Sequence, residues 1–256
     1  NLLIKFIIIK NKLYIPKKSL GQNFLIDKNI QNKIVNLISI TNKNIIEIGP
    51  GNGQITDKII LRKPKKLILI EKDNNLCKYL IEKYTNLSLI SFYQYDALFF
   101  NFPKTKKFNI ISNLPYNLSV KIIMKLLINY NNFKEMVFMV QKDVAEKMNY
   151  NNKSKKNKYN FFLKIVSDFE IIFNISNKVF YPNPKVKSSI IKIKPLAIKF
   201  DKIKLWEFSK LIFNNKRKKI KNVIKFEDID IITKKLMDKR AEDLTAKNLI
   251  YLFKKF

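Results

Sequence analysis

Glu-Ile-Gly-Pro-Gly-Asn-Gly at positions 47–53 holds three of the four glycines in this chain. The stretch follows an apolar run, "NIIEI" (44–48), and precedes "QITDKIILR" (54–62), whose apolar spacing suits a helix. A glycine loop between strand and helix permits positive φ and lets a ligand lie against bare backbone, which points to Gly49 and Gly51 as ligand contacts. Gln54 stands where a pyrophosphate-binding G-x-G-x-x-G loop needs its third glycine, and no Gly-Lys-Ser/Thr follows for a P-loop. A nucleoside cofactor without phosphate, S-adenosylmethionine, fits better. Glu71 closes the next apolar run, "KLILIE" (66–71), where a carboxylate can accept hydrogen bonds from both ribose hydroxyls. Asp96 of "QYDALFF" follows the third such run and can accept from the adenine amino group.

A fourth run delivers "FNIISNLPYNLS" (108–119) to the same edge. Pro115 fixes its own φ and biases Leu114 away from helical geometry, so Asn113 to Tyr116 should form a stiff turn. An exocyclic amine on adenine is a poor nucleophile because its lone pair is delocalised into the ring. The Asn113 side-chain oxygen and the Leu114 carbonyl can bind its two N–H groups and draw the nitrogen toward a tetrahedral, reactive form. Tyr116 supplies a stacking face for the base. Such chemistry rests on positioning and electrostatic preorganisation for in-line methyl transfer, without an acid or base. It suits a chain with no histidine.

These residues need a scaffold that brings strand ends together. "NIIEI", "KLILIE", "LSLISFY" (87–93), "FNIIS" (108–112) and "EMVFMV" (135–140) read as buried strands. Between them "QITDKIILR", "NNLCKYLIEKY" and "SVKIIMKLLINY" read as helices, the last with Ser119 as its N-cap. The alternation predicts an α/β fold with a mostly parallel sheet covered on both faces. "NYNNKSKKNKYN" (149–160) is polar and core-free and reads as a loop, and "FEIIFNI" and "SSIIKIKPL" form a further strand pair. Pro195 and the lysines after it predict a boundary near 197, giving an extension over 1–16, an α/β domain over 17–197 and a small all-α domain over 198–256.

The 256 residues are 46% hydrophobic, enough for a sizeable core, and 51 Lys and Arg against 20 Asp and Glu leave a formal charge of +31. That excess suggests a polyanionic partner such as nucleic acid. Ile, Lys, Asn, Phe and Tyr abound while only Arg62, Arg217 and Arg240 supply arginine, the set that AT-rich codons specify, so part of the charge is compositional bias. A single cysteine, Cys77, leaves no internal disulfide or Cys-cluster metal site, and a metal is not expected. Cys77 and Trp206 read as core residues. The opening "NLLIKFIIIK" is interrupted by Lys5 and too short to span a bilayer, and reads as an extension, consistent with a cytoplasmic protein away from membranes.

From Lys17 onward, "KKSLGQNFLID", "EIGPGNGQIT", "LIEKD", "YQYDAL", "NLPYNLS", "VQKDVAEKM", "VFYPNPKVKSSII", "FNNKRKKIKN" and "KRAEDLT" together resemble the small-subunit (16S-type) rRNA adenine N6,N6-dimethyltransferases, the kasugamycin-sensitivity methyltransferases. The resemblance implies a Rossmann-like class I methyltransferase sheet with a small helical C-terminal domain. It implies dimethylation of two adjacent adenosines near the 3′ end of small-subunit rRNA within an assembling particle, by a monomer using S-adenosylmethionine. It adds Asn23 and Leu25 to the cofactor contacts, beside Gly49, Glu71, Asp96 and Asn113, and makes Phe180 the second aromatic wall of the adenine pocket. The family pattern Tyr-Gly-Arg-Leu-Ser is "YNFFL" (159–163) here, without its glycine and arginine. Lys216 to Lys219 and Lys153 to Lys158 are candidate phosphate contacts. Competing readings are a large-subunit rRNA adenine methyltransferase of the macrolide-resistance type, which shares "NFL" and an N-(I/L)-P-Y motif, a noncatalytic rRNA-binding assembly factor, and an NAD-dependent oxidoreductase. "GQNFL", the proline of "EIGPG" and "FNNKRK" favour the first reading over the large-subunit one, intact Asn113, Pro115 and Tyr116 argue against a pure binder, and Gln54 against NAD.

Overall fold

Alternation along single strands organises the protein. In the computed structural model, which describes residues 7–9, 12–151 and 155–256, a short hairpin of β1 (Ile7–Ile9) and β2 (Lys12–Tyr14) leads to β3 (Phe24–Leu25) and α1 (Lys28–Asn36). Of the expected extension, residues 1–6, 10 and 11 lie outside the described residues. The chain then alternates through β4 (Asn44–Ile48), α2 (Gln54–Ile60), β5 (Lys66–Glu71), α3 (Asn74–Lys83), β6 (Ile90–Gln94), β7 (Phe108–Asn113), α4 (Ser119–Asn129) and β8 (Phe133–Gln141). In β4, Ile45 joins one buried cluster while Ile46 and Ile48 join the other, and Leu67 and Leu69 of β5 face away from Ile68 and Ile70. Two apolar faces from a period of two are what a sheet covered by helices on both sides requires. Burial of each such Ile or Leu stabilises by about 1.5–3 kcal/mol.

After α5 (Lys142–Met148) and α6 (Lys158–Val166) come β9 (Ser167–Ile175), β10 (Phe180–Tyr181) and β11 (Ser188–Pro195). The main sheet has the order β6-β5-β4-β7-β8-β11-β9; the first five strands are mutually parallel, and β11 runs antiparallel to both of its neighbours, β8 and β9. This is the expected α/β fold. Two local expectations change. The polar stretch 149–160 is not loop to its end, because Asn157 accepts from the Tyr159 and Asn160 N–H groups in a capping box that starts α6 at Lys158. The "YNFFL" stretch is therefore helical, with Asn160 and Phe161 fully buried where the family pattern has Gly and Arg. Nor does Ser119 cap α4: it lies within the first turn, buried, and its hydroxyl donates to the Tyr116 carbonyl at 3.1 Å.

Loop 196–201 leads to α7 (Lys202–Asn214), α8 (Ile231–Met237) and α9 (Ala246–Phe253). Leu205, Phe208, Leu249 and Leu252 from these helices share a buried cluster with Met124 of α4 and Phe161 of α6. Cys77 is buried, and Trp206 packs on Tyr159 and Phe162. Lys156 donates to the Glu242 carbonyl at 2.9 Å and Lys158 to the Asn214 side chain at 3.2 Å, so part of the basic run ties its loop to the C-terminal helices. Lys153 of that run lies outside the described residues, whereas 216–219 is solvent-exposed. Among the described residues no helix is long and apolar enough to cross a membrane.

Candidate active site

The carboxyl ends of β4, β5 and β7 converge with the segment before β3 on one cavity. Its wall includes Asn23, Leu25, Gly49, Gly51, Glu71, Asp96, Asn113, Leu114, Pro115 and Tyr116. The topology explains the convergence: parallel neighbours β5-β4-β7 end at the same edge, and ligands of open α/β sheets bind there.

The glycine loop has φ of +65°, +62° and +82° at Gly49, Gly51 and Gly53, a region that L side chains rarely adopt. Space compounds the demand. A Cβ on Gly51 would lie 2.9 Å from the Phe24 ring, and one on Gly53 would collide with the Tyr84 hydroxyl, which donates to the Gly53 carbonyl and the Asp57 carboxylate. Glu71, 8% exposed, accepts from the Gly51 N–H at 3.1 Å and the Asp73 N–H at 2.8 Å, one on each oxygen. Burial pushes its pKa up against those two donors. Each oxygen keeps a further lone pair for a hydroxyl donor.

Asp96 is tied down differently. Its Oδ1 accepts from the Leu98 N–H at 2.9 Å and its Oδ2 pairs with Lys72 at 2.9 Å. Burial alone would raise its pKa, but these partners outweigh it and hold the carboxyl below its ordinary range. At the end of β7, Asn113 donates from Nδ2 to the Asn23 carbonyl at 2.8 Å. That bond directs the amide nitrogen to the Asn23 carbonyl and leaves Oδ1 an acceptor without a partner among the described residues, the orientation that the proposed chemistry of the turn needs. The Tyr116 hydroxyl is held by Ser188 Oγ at 2.5 Å, which fixes the ring. Beside the turn a second hollow is walled by Gly21, Asn23, Tyr116, Asn117 and Gln141.

Phe180 does not wall this space. It is fully buried in the cluster that contains Leu25, Ile175 and Ile190, and it pairs with Leu25 across the short β10–β3 ladder. The ring therefore backs the wall that Leu25 lines, a correction to the expectation of a second stacking face. The segment carrying Asn23 is pinned by contacts that no local pattern announces. Asp73, its side chain fully buried, accepts from Lys17 at 2.7 Å and lies 3.2 Å from the Tyr14 hydroxyl, while it also caps α3 through the Asn75 and Leu76 N–H groups.

Glu47, at the cavity floor, is a second acid absent from the sequence reading. It is 2% exposed and accepts from the Thr56 hydroxyl at 2.6 Å. Burial, opposed by that hydrogen bond and reinforced by Asp57 and Glu71, pushes its pKa from 4.5 up to about 8. A folded-state value above the unfolded one means that the protonated acid favours the folded protein, fully below pH 4.5 and progressively less up to pH 8. Glu47→Gln should therefore raise the melting temperature relative to the parent increasingly from pH 5 to pH 8, then by a constant amount. Thermal melts of both proteins across that range check this, and a pH-independent difference would refute it.

Residues 15–256 match the family model of ribosomal RNA adenine dimethylase. The chain is 39% identical over 229 residues to ribosomal RNA small subunit methyltransferase A of Malacoplasma penetrans, covering 86% of this chain and 82% of that protein. It is 37% identical over 250 residues to the protein of the same name from a Sulfurihydrogenibium species, with 93% and 95% covered. A dimethyladenosine transferase from Plasmodium falciparum shares the fold at a TM-score of 0.76 and 24% identity, covering 91% of this chain and 98% of its own. The 23S rRNA methyltransferase ErmE does so at a TM-score of 0.71 and 18% identity, with 91% and 98% covered.

Proposed function

We infer from its place in the ribosomal RNA adenine dimethylase family, to which this chain belongs, that the enzyme dimethylates N6 of two adjacent adenosines near the 3′ end of small-subunit rRNA. The observation that carries the reading is the Asn113–Tyr116 turn, which opens on the same cavity as Gly49, Glu71 and Asp96.

The residues present fit S-adenosylmethionine: bare backbone at Gly49 and Gly51, a buried acid with lone pairs to spare at Glu71, and a second acid at Asp96. Bound there, this cofactor supplies an electrophilic methyl group on a sulfonium. Glu71 holds the ribose hydroxyls, Asp96 accepts from the adenine amine, and Asn23 and Leu25 close the cavity from the N-terminal side. The target base enters through the hollow between Tyr116 and Gln141. Asn113 Oδ1 and the Leu114 carbonyl accept the two N6 hydrogens and localise the lone pair, Pro115 keeps that carbonyl in place, and Tyr116 stacks on the ring. The proton lost from N6 passes to solvent, since no side chain of the turn is a base.

Residues 17–197 carry the chemistry, 198–256 present the exposed basic run 216–219 to rRNA phosphates, and a monomer acts in the cytoplasm on an assembling small subunit. Incubation with labelled S-adenosylmethionine and, in separate reactions, unmethylated small subunits and unmethylated large-subunit rRNA, followed by mapping of the modified nucleotides, should find two neighbouring dimethyladenosines near the 3′ end of the small-subunit rRNA. Label confined to large-subunit rRNA would assign the chain to the macrolide-resistance type, and rRNA binding without transfer to a noncatalytic factor.

A further inference from the structure

Helix α4 begins shortly after the Asn113–Tyr116 turn, and Leu118 at its N-cap and Ile122 in its first turn line the cofactor cavity. Lys125 stands on the same stripe, three residues beyond Ile122. Its ammonium donates to three backbone carbonyls: Ala97 at 3.1 Å, Leu98 at 2.8 Å and Phe100 at 2.7 Å. An ammonium has three N–H donors, and all three are used. It also lies 5.4 Å from the centroid of the Phe102 ring.

The three carbonyls belong to a single helical turn that follows Asp96. At its start, Asp96 Oδ1 accepts from the Leu98 N–H, and the Asp96 carbonyl accepts from the Phe99 and Phe100 N–H groups at 2.9 and 3.0 Å. Its unpaired carbonyl end is closed by Lys125, as a cation closes the negative end of a helix. The other side-chain partner of Asp96 is Lys72, more than half exposed, whose ammonium meets the carboxylate itself and not the backbone of the turn. Asp96, Ala97 and Leu98 all line the cavity.

We propose that Lys125 is a positioning residue for methyl transfer, holding the 96–100 turn so that the Asp96 carboxylate meets the adenine amine of the cofactor. The same cation ties the adenine end of the cofactor site to the helix launched by the acceptor turn. This rests on the reading of Asp96 given above, and the test separates the two.

Lys125→Met keeps the length of the side chain and removes the donors. It should weaken S-adenosylmethionine binding about tenfold, the loss expected for a misdirected hydrogen bond to a charged group. The diagnostic ligand is the cofactor analogue with hydrogen in place of the adenine amine. The parent protein should bind it more weakly than S-adenosylmethionine, and Lys125→Met should bind both alike, because its defect lies at the amine. Lys125→Arg, which keeps the charge but offers a planar fork to three convergent carbonyls, should show a partial loss with the same pattern and serves as the variant if Lys125→Met does not fold.

Calorimetric titration gives the affinities and thermal melting checks the fold. Unchanged affinity in Lys125→Met, or an equal loss for both ligands, overturns the role of Lys125 while leaving Asp96 in place. Equal binding of both ligands by the parent overturns the Asp96 reading and this proposal with it. Failure of both variants to fold assigns Lys125 to structure alone and also overturns the proposal.

Discussion

Replacing Asn113 by alanine should lower the methyl-transfer rate about 100-fold, the order expected for one preorganised polar group, while the protein stays folded. The side chain is half-buried at the end of β7, and its one hydrogen bond among the described residues runs from Nδ2 to the Asn23 carbonyl. Losing that bond costs about 0.5–1.5 kcal/mol and loosens the segment on which Asn23 and Leu25 sit. Cofactor affinity should therefore fall by tenfold at most, well short of the effect on rate. Single-turnover transfer to small subunits at saturating cofactor separates the two, with circular dichroism as the folding control. Tyr116→Phe loses only the hydroxyl contact with Ser188 and should keep most activity, whereas Tyr116→Ala should lose about 1–3 kcal/mol of base stacking. A folded Asn113→Ala protein that works at the parent rate would reduce the turn to a turn and end the mechanism.

Glu71→Ala should weaken S-adenosylmethionine binding by about 1.5–3 kcal/mol, or roughly ten- to 150-fold, the range for hydrogen bonds to a charged group. The upper part of that range is expected because the carboxylate does two things. It faces the place assigned to the ribose hydroxyls, and it holds the Gly51 and Asp73 N–H groups, so its loss also frees the glycine loop. Glutamine is no neutral substitute, since its amide nitrogen would confront one of those N–H groups donor to donor. A 2′-deoxyribose analogue of the cofactor distinguishes the roles. The parent should bind it less tightly than S-adenosylmethionine, and Glu71→Ala should bind the two alike. Unchanged calorimetric affinity for S-adenosylmethionine in Glu71→Ala would discard the assignment.

Both predictions concern residues that were legible in the sequence. Glu71 and Asn113 end apolar runs, and a parallel sheet brings the ends of such runs to one edge, so strand periodicity alone placed them together. The glycine loop stood out because glycine is scarce elsewhere in the chain, and φ is positive at each of its three glycines. The α/β class followed from the same alternation, because one strand of period two covered on both faces leaves few other architectures. These features are local, or repeat at a fixed spacing, and a chain carries them before it folds.

What only the tertiary structure decided are contacts between residues far apart in sequence. The choice of Asn113 Oδ1 as the acceptor depends on the Asn23 carbonyl, 90 positions away. The "YNFFL" stretch reads as a departure from a family pattern, yet its phenylalanines become core because α7 and α9 pack against α6. Phe180 has the residue type of a stacking wall, but whether an aromatic ring faces a cavity or the core depends on what its strand pairs with, here Leu25. Glu47 and Lys125 looked like one acid among several and one lysine in a lysine-rich chain. Burial made the first a titrating group near neutral pH, and three converging carbonyls made the second a clamp. Charge and residue type are written in the sequence; the desolvation and the partners that give a charge its work come only from the packing around it.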